Sequence, residues 1–455
     1  GKFVVEARRG GGAWFVAGGE GEGLGGEARP GGDVAHGSPA GGVGLVLGWG
    51  DGGRAEALAG KGDYRVVVLE PEAARADAAR RELAERGWQG RRVQVLMGGP
   101  RVAGLTPYWA NQVVGDAGAF LALGGGGTAA VLDALRPHTG EMRLCNGAGQ
   151  AERIRPLLAS RGGYSVNVEG DDLLVRREAP PDGAADWTHE AGDAGNGFAS
   201  ADRLVKWPLG VLWYSGDIDR YFTPATHFQH ERNPYPLVID GRMFIITGEK
   251  IHCVDIYTGN YLWRAEMPLT PYVKTRFFDS RQYGRPTDRN CVVAADWIYV
   301  VGGDKVHAFD VATGRATRVI EIPAVLRDQA HGPMHGTQKI RAQGQSGEVQ
   351  GVPEWTEVRL SGDLLIALLG RHLAAVDRHT GALRWTRQRP RESTTCAIGG
   401  DLLYGLDYDL AARGAVGKTM EARHFAVDPR AGSIRWEQAV GYGASRDDGV
   451  RAELD

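Results

Sequence analysis

Residues 240–263 read DGRMFIITGEKIHCVDIYTGNYLW. A Gly turn opens the stretch, an apolar strand follows, and a second strand ends in Asp255 before the Thr258-Gly259 turn and Trp263. The pattern returns at 296–315 (DWIYVVGGDKVHAFDVATGR, with Asp310 and Thr313-Gly314) and at 362–385 (GDLLIALLGRHLAAVDRHTGALRW, with Asp377, Thr380-Gly381 and Trp385). A fourth copy starts at Gly400-Asp401, carries an insertion, and ends HFAVDPRAGSIRW with Asp428, Gly432 and Trp436. In every copy the Asp stands four residues before the Gly, and in three a Trp stands four residues after it. The second copy has Arg318 there. The Asp-to-Asp spacings are 55, 67 and 51 residues, near or above the length of a four-stranded propeller blade.

The chemistry of the motif is local. The Asp carboxylate can accept turn amides, and Gly enters positive φ without a Cβ penalty. The Trp is expected to pack between neighbouring blades.

These residues resemble the AxDxxTGxxxW tryptophan-docking pattern of quinoprotein-like (PQQ-repeat) propellers, the quinoprotein alcohol dehydrogenase-like superfamily with its BamB-like repeats. The resemblance implies an all-β propeller over 186–455. Pro208–Trp213 (PLGVLW) resembles the closing strand of a further blade. Four copies and a fraction do not fill the seven or eight blades this family uses. The expectation is a partial propeller of about four blades, with the chain a fragment or the ring closed by other strands and a partner.

Upstream the texture differs. Thirteen of the first forty residues are Gly, so 1–40 reads as linker or poorly ordered chain with a stray strand at Ala13–Ala17. From Gly41 apolar runs alternate with helical spacing. Strands are expected at Val43–Leu47, Tyr64–Leu69, Arg92–Met97, Gln112–Val114 and Glu141–Cys145, with a closing hairpin of Tyr164–Val168 and Leu173–Arg177. Helices are expected around Arg54–Ala59, after Pro71 with Ala76, Ala79 and Leu83 on one face, at Thr128–Leu135, and from Ala151 with an interruption at Pro156. This predicts an α/β domain over 41–178, with 179–185 as linker.

Val43–Leu47 runs into Gly48-Trp49-Gly50-Asp51-Gly52, and Glu70 ends the next strand 18 residues after Gly52. Glycines at such a turn let a ligand approach the backbone, and an acid at this distance suits two ribose hydroxyls. GxGxG with that acid, and the terminal hairpin, resemble motifs one and two of class I S-adenosylmethionine (SAM) methyltransferases, a Rossmann-like fold. The resemblance implies that Gly48, Gly50 and Gly52 line the methionine part of SAM and that Glu70 holds the ribose. Three departures point to a degenerate site. The third strand ends Met97-Gly98-Gly99 without an acid, Val114-Gly115-Asp116-Ala117 replaces the Asn/Asp-Pro-Pro-Tyr of amino methyltransferases, and Trp49 is bulky for an open turn. Taken together, the two halves resemble a group of large bacterial proteins joining a PQQ-binding-like propeller to a methyltransferase domain.

Other polar groupings read as structural. Asp186-Trp187-Thr188-His189 with Asp193 and Asn196 suggests either a ligand or metal site or a turn network, the latter favoured. His227-x-x-His230-Glu231 and the His331/His335 pair are not HExxH, so no metal site is assigned. The basic run Arg384–Arg391 reads as a solvated loop. Four dispersed cysteines, Cys145, Cys253, Cys291 and Cys396, give no CxxC or vicinal pair; the resemblance to quinoprotein dehydrogenases implies a vicinal disulfide over the cofactor, so without one PQQ is not expected. No nucleophile elbow stands out. The net charge of −3 gives no footprint for nucleic acid, and no apolar run reaches membrane-span length. No leader is visible ahead of Gly1.

The expected function is a binding or scaffold module that takes a protein or small-molecule ligand on the propeller face and carries a degenerate SAM-methyltransferase-like domain. An active methyltransferase using the propeller for substrate recognition is the alternative, and a quinoprotein oxidoreductase the second. The propeller favours the periplasm or cell envelope; an active methyltransferase would favour the cytoplasm.

Overall fold

The computed structural model describes residues 2–6, 14–18, 41–101, 103, 105–189, 191–213, 236–246, 250–266, 291–302, 304–327, 355–369, 372–389, 393–408, 420–445 and 449–452. The histidine groupings at 227–231 and 331–335, and the insertion of the fourth copy, lie outside the described residues. Within 1–40, β1 (Lys2–Glu6) pairs antiparallel with β2 (Trp14–Gly18).

The α/β domain follows as β3 (Gly41–Leu47), α1 (Gly53–Ala59), β4 (Asp63–Glu70), α2 (Ala73–Glu85), β5 (Val93–Met97), β6 (Gln112–Asp116), α3 (Ala117–Ala122), α4 (Gly124–Ala134), β7 (Gly140–Cys145), α5 (Ala151–Ala159), β8 (Tyr164–Glu169) and β9 (Asp172–Arg177). The sheet order is β5-β4-β3-β6-β7-β9-β8. Strands β3 to β7 are parallel, and β9 runs antiparallel to both β7 and β8. A reversed strand slotted between the last two is the arrangement expected of a methyltransferase-like domain.

Residue alternation along the strands explains the three layers. Leu45, Leu47, Val67, Leu69, Met142 and Leu144 face a core shared with Phe120, Leu132 and Ile154 of the later helices. Val46, Val66, Val68 and Val95 face the opposite way, onto Leu58, Ala76, Ala79 and Leu83 of α1 and α2.

Two local expectations change. Helix α5 is not interrupted by Pro156, which sits inside it. Helix α4 starts four residues before the expected Thr128, through Gly124–Gly127. The short α3 carries no periodicity to read. It is set by Asp116, whose carboxylate accepts the Gly118 and Ala119 amides.

The C-terminal part contains four antiparallel sheets in simple meander order. Blade 1 is β10 (Leu237–Ile239), β11 (Arg242–Ile246), β12 (Lys250–Asp255) and β13 (Tyr261–Glu266). Blade 2 is β14 (Cys291–Val293), β15 (Trp297–Gly302), β16 (Lys305–Asp310) and β17 (Ala316–Glu321), followed by the short α6 (Ala324–Arg327). Blade 3 is β18 (Trp355–Ser361), β19 (Leu364–Leu369), β20 (His372–Asp377) and β21 (Leu383–Gln388). Blade 4 is β22 (Ser393–Gly399), β23 (Leu402–Tyr408), β24 (Met420–Val427) and β25 (Ile434–Ser445), with β26 (Gly449–Ala452) added. The first strands of successive blades adjoin one another, which makes them the inner strands of an arc. Apolar cores fill the gaps between blades 1 and 2, 2 and 3, and 3 and 4.

The basic run Arg384–Arg391 is, over its described residues, not a solvated loop, contrary to expectation. Its first half lies on β21 rather than in a loop, Arg384 pairs with Asp377 at 2.6 Å, and Arg389 is buried.

Candidate functional site

The glycine loop lies at the carboxyl end of β3, beside the point where the sheet order reverses between β3 and β6. That is where open α/β sheets bind ligands. Gly48, Gly50 and Gly52 have φ of 81°, 62° and 82°, a region that only Gly enters at little cost. A Cβ at Gly48 or Gly50 would meet nothing within 4 Å. Both positions therefore border open space, as a ligand cradle requires.

Trp49 does not obstruct this cradle, contrary to expectation. Its indole is turned into the core beneath α1 and α2 and is only 7% exposed. It packs so closely under Gly52 that a Cβ there would lie 2.7 Å from the ring. Gly52 thus serves Trp49 packing and starts α1.

Glu70 is buried at the end of β4, and its two oxygens accept the amides of Trp49 (2.8 Å) and Glu72 (3.1 Å). Arg75 Nε stands 3.9 Å from Oε2. The fold thus brings the loop and the acid together, 21 residues apart at the Trp49 contact. At the end of β5 no acid is present, and Met97 is 53% exposed.

One pair escaped the sequence reading. Asn146, just past β7, donates to Asp116 at the end of β6 (2.8 Å). This bond, with the two α3 amides, holds the Asp116 carboxyl below its ordinary range. Only the parallel register of β6 and β7 places the two side by side.

The described residues of the polar stretch 186–196 form a strap. Trp187 pairs with Val238 of blade 1 through reciprocal main-chain bonds of 2.9 and 2.7 Å. The Thr188 carbonyl accepts Val293 of blade 2 (2.9 Å). His189 Nε2 accepts the Leu360 amide of blade 3 (3.1 Å). Asn196 accepts from Arg359 of blade 3 (2.8 Å) and donates to the Cys396 carbonyl of blade 4 (3.0 Å). Asp193 makes the expected Asx turn with Gly195. The segment therefore crosses the inner strands of all four blades. Among the described residues no group of three His, Cys, Asp or Glu is arranged to hold a metal ion.

The repeat residues behave as their chemistry predicts. Gly259, Gly314, Gly381 and Gly432 all have positive φ, and each donates its amide to the carbonyl of its repeat Asp at 2.8 Å. Trp263 Nε1 donates to the Val311 carbonyl of the next blade (3.0 Å) and Trp385 Nε1 to Pro429 (2.9 Å). Each indole lies flat on the turn glycine of that next blade, Gly314 and Gly432. Trp213 does the same to Ile256 and Gly259, although 208–213 forms no strand, contrary to expectation. Where Arg318 replaces the Trp, its guanidinium reaches the Thr380 carbonyl instead (3.4 Å).

Residues 247–452 match the family model of the outer membrane protein assembly factor BamB.

These BamB-like repeats are the blades of a PQQ-like propeller. Over the same part, the chain is similar in structure to a europium-containing methanol dehydrogenase, at 17% identity and a TM-score of 0.26, covering 45% of this chain and 41% of that one. The N-terminal domain is similar to a methyltransferase from Geobacter sulfurreducens (20% identity, TM-score 0.25, 31% of this chain and 72% of that one). It is also similar to a SAM-dependent methyltransferase from Aquifex aeolicus (12% identity, TM-score 0.25, 30% and 80%). No curated protein matches the chain. Among the described residues no helix is long and apolar enough to cross a membrane.

Proposed function

We propose that this chain is a binding or scaffold module: an arc of PQQ-like blades that offers a face to a protein or small-molecule ligand and carries a degenerate methyltransferase-like domain. The observation that carries this reading is the edge at which the two parts meet. Blade 1 packs against the starts of the parallel strands, where Gly41–Val43, Asp63–Arg65 and Asn111 face Asp255 and Asn260–Leu262 across a cleft. Gly48–Gly52 and Glu70 lie at the opposite, carboxyl ends. The eight residues of β4 separate the two edges by roughly 25 Å. Among the described residues blade 1 therefore does not border the crevice, which speaks against this blade presenting a substrate to it.

The residues of the crevice fit part of a SAM site. The open surface at Gly48 and Gly50 fits the methionine end, and Glu70 stands where a ribose would be held. SAM, when bound, would supply the methyl group. Against turnover, β5 ends without an acid for the adenine amine.

Calorimetric titration of the full chain with SAM tests the reading. Absence of heat at millimolar ligand is expected. Heat that disappears in Glu70→Gln would overturn the degenerate site and favour the second reading, an active methyltransferase, which the open cradle supports. A quinoprotein reading is not favoured, because the strap 186–196 lies along the inner strands and the four cysteines are not paired. Such a scaffold fits the periplasm or envelope, and cell fractionation would show whether it resides there.

A further inference from the structure

The cleft between the α/β domain and blade 1 has a volume of about 510 Å³, within the range of small-molecule sites, which favour domain interfaces. Three arginines line it, Arg65 and Arg91–Arg92, together with the two carboxylates Asp63 and Asp255. Asp255 is already neutralised. Its Oδ2 takes Arg136 and its Oδ1 the Tyr257 amide. Among the described lining residues, Arg91 and Arg92 therefore face one remaining carboxylate, Asp63. Arg92 spends one donor on the Gly62 carbonyl (2.8 Å). Arg91 and Arg92 are adjacent in the turn that leads into β5, and both line the cleft. The far wall is blade 1, with the Asn260 amide and the ring of Tyr261.

We propose that this cleft binds a small phosphorylated molecule, its phosphate held by Arg91 and Arg92 and its polar body reaching Asn260 and Tyr261 of blade 1. Guanidinium forks match the phosphate oxygens in geometry as well as charge. An occupant that touches both walls ties the α/β domain to the blades, and so stabilises their docking by linkage. This site lies at the opposite sheet edge from Gly48 and Glu70 and does not depend on SAM.

The test is calorimetry on the full chain at 150 mM salt, with inorganic phosphate, ribose 5-phosphate and ribose as probes. Ribose 5-phosphate is expected to bind at least about tenfold tighter than phosphate, and ribose not at all. Arg91→Ala/Arg92→Ala is expected to weaken ribose 5-phosphate at least about tenfold, and Arg91→Gln, a milder change at an exposed side chain, to weaken it in the same direction. Glu70→Gln is expected to leave it unchanged. Absence of binding by the folded chain, binding indifferent to both arginine variants, or binding lost in Glu70→Gln and kept in Arg91→Gln would each overturn the proposal.

Discussion

Arg136 of the α/β domain neutralises Asp255, the repeat aspartate of blade 1, across a contact of 2.5 Å with both side chains about 3% exposed. Blades 3 and 4 solve the same problem internally. There the repeat Asp pairs with the Arg seven residues on, Arg384 for Asp377 and Arg435 for Asp428. Blade 1 has Leu262 at that position, so its cation comes from the other domain. Arg136 also donates to the Gly241 carbonyl and to Thr139, and its guanidinium lies 5.5 Å from the Tyr257 ring. The two domains are thus joined through the turn that defines the repeat.

Removing Arg136 leaves Asp255 buried and uncompensated. Arg136→Met is expected to cost about 3–5 kcal/mol in urea unfolding followed by circular dichroism. Adding Asp255→Asn should recover part of that loss. Arg384→Ala, at a half-exposed pair, should cost no more than about 1 kcal/mol.

The docked and undocked tryptophans should separate cleanly. Trp263 is 9% exposed and sandwiched between blades, whereas Trp436 is 43% exposed. Trp263→Ala is expected to cost about 3–5 kcal/mol, and Trp436→Ala about 0.5 kcal/mol. Comparison of the two denaturation midpoints checks this.

Turn glycines differ in what a methyl group would strike. At Gly314 a Cβ would lie 2.3 Å from Trp263, at φ 71°. At Gly400, φ 56°, it would meet nothing. Gly400→Ala should cost about 1–2 kcal/mol of backbone strain alone, and Gly314→Ala distinctly more, with loss of the Trp263 fluorescence environment.

Acid should loosen the strap. Burial, with the Arg359 charge beside it, pushes the His189 imidazole from near 6.5 down to about 3. The folded state thus holds neutral His189 while the unfolded chain takes up a proton below about pH 6.5. Its contribution is complete above that pH and is lost as pH falls towards 3, up to about 4–5 kcal/mol. Stability measured against pH should fall less steeply in His189→Gln, which can still accept the Leu360 amide. An unchanged slope would show that His189 is not the titrating group.

Much of the architecture could be read locally. Glycine four residues after each Asp, and β-branched runs between turns, predict blades because turn chemistry and strand pairing are short-range. The same holds for Gly48, Gly50, Gly52 and Glu70, since one βα turn and the next strand suffice to place them. The place of Trp49 is not legible in the sequence, because side-chain direction at a turn depends on the core beneath it. The pairing of Arg384 is not legible either, because charge composition does not reveal a strand partner seven residues away.

By itself, then, the sequence determined the four blade repeats, the αβ order and the glycine loop, all products of periodicity and turn stereochemistry within about fifty residues. Only the tertiary structure decided how the parts are used. It turned the polar stretch 186–196 into a strap across four blades, gave Asp255 its cation from Arg136, and set blade 1 at the sheet edge away from Gly48. These are contacts between residues tens to hundreds of positions apart. They depend on burial and strand register, which no local pattern encodes.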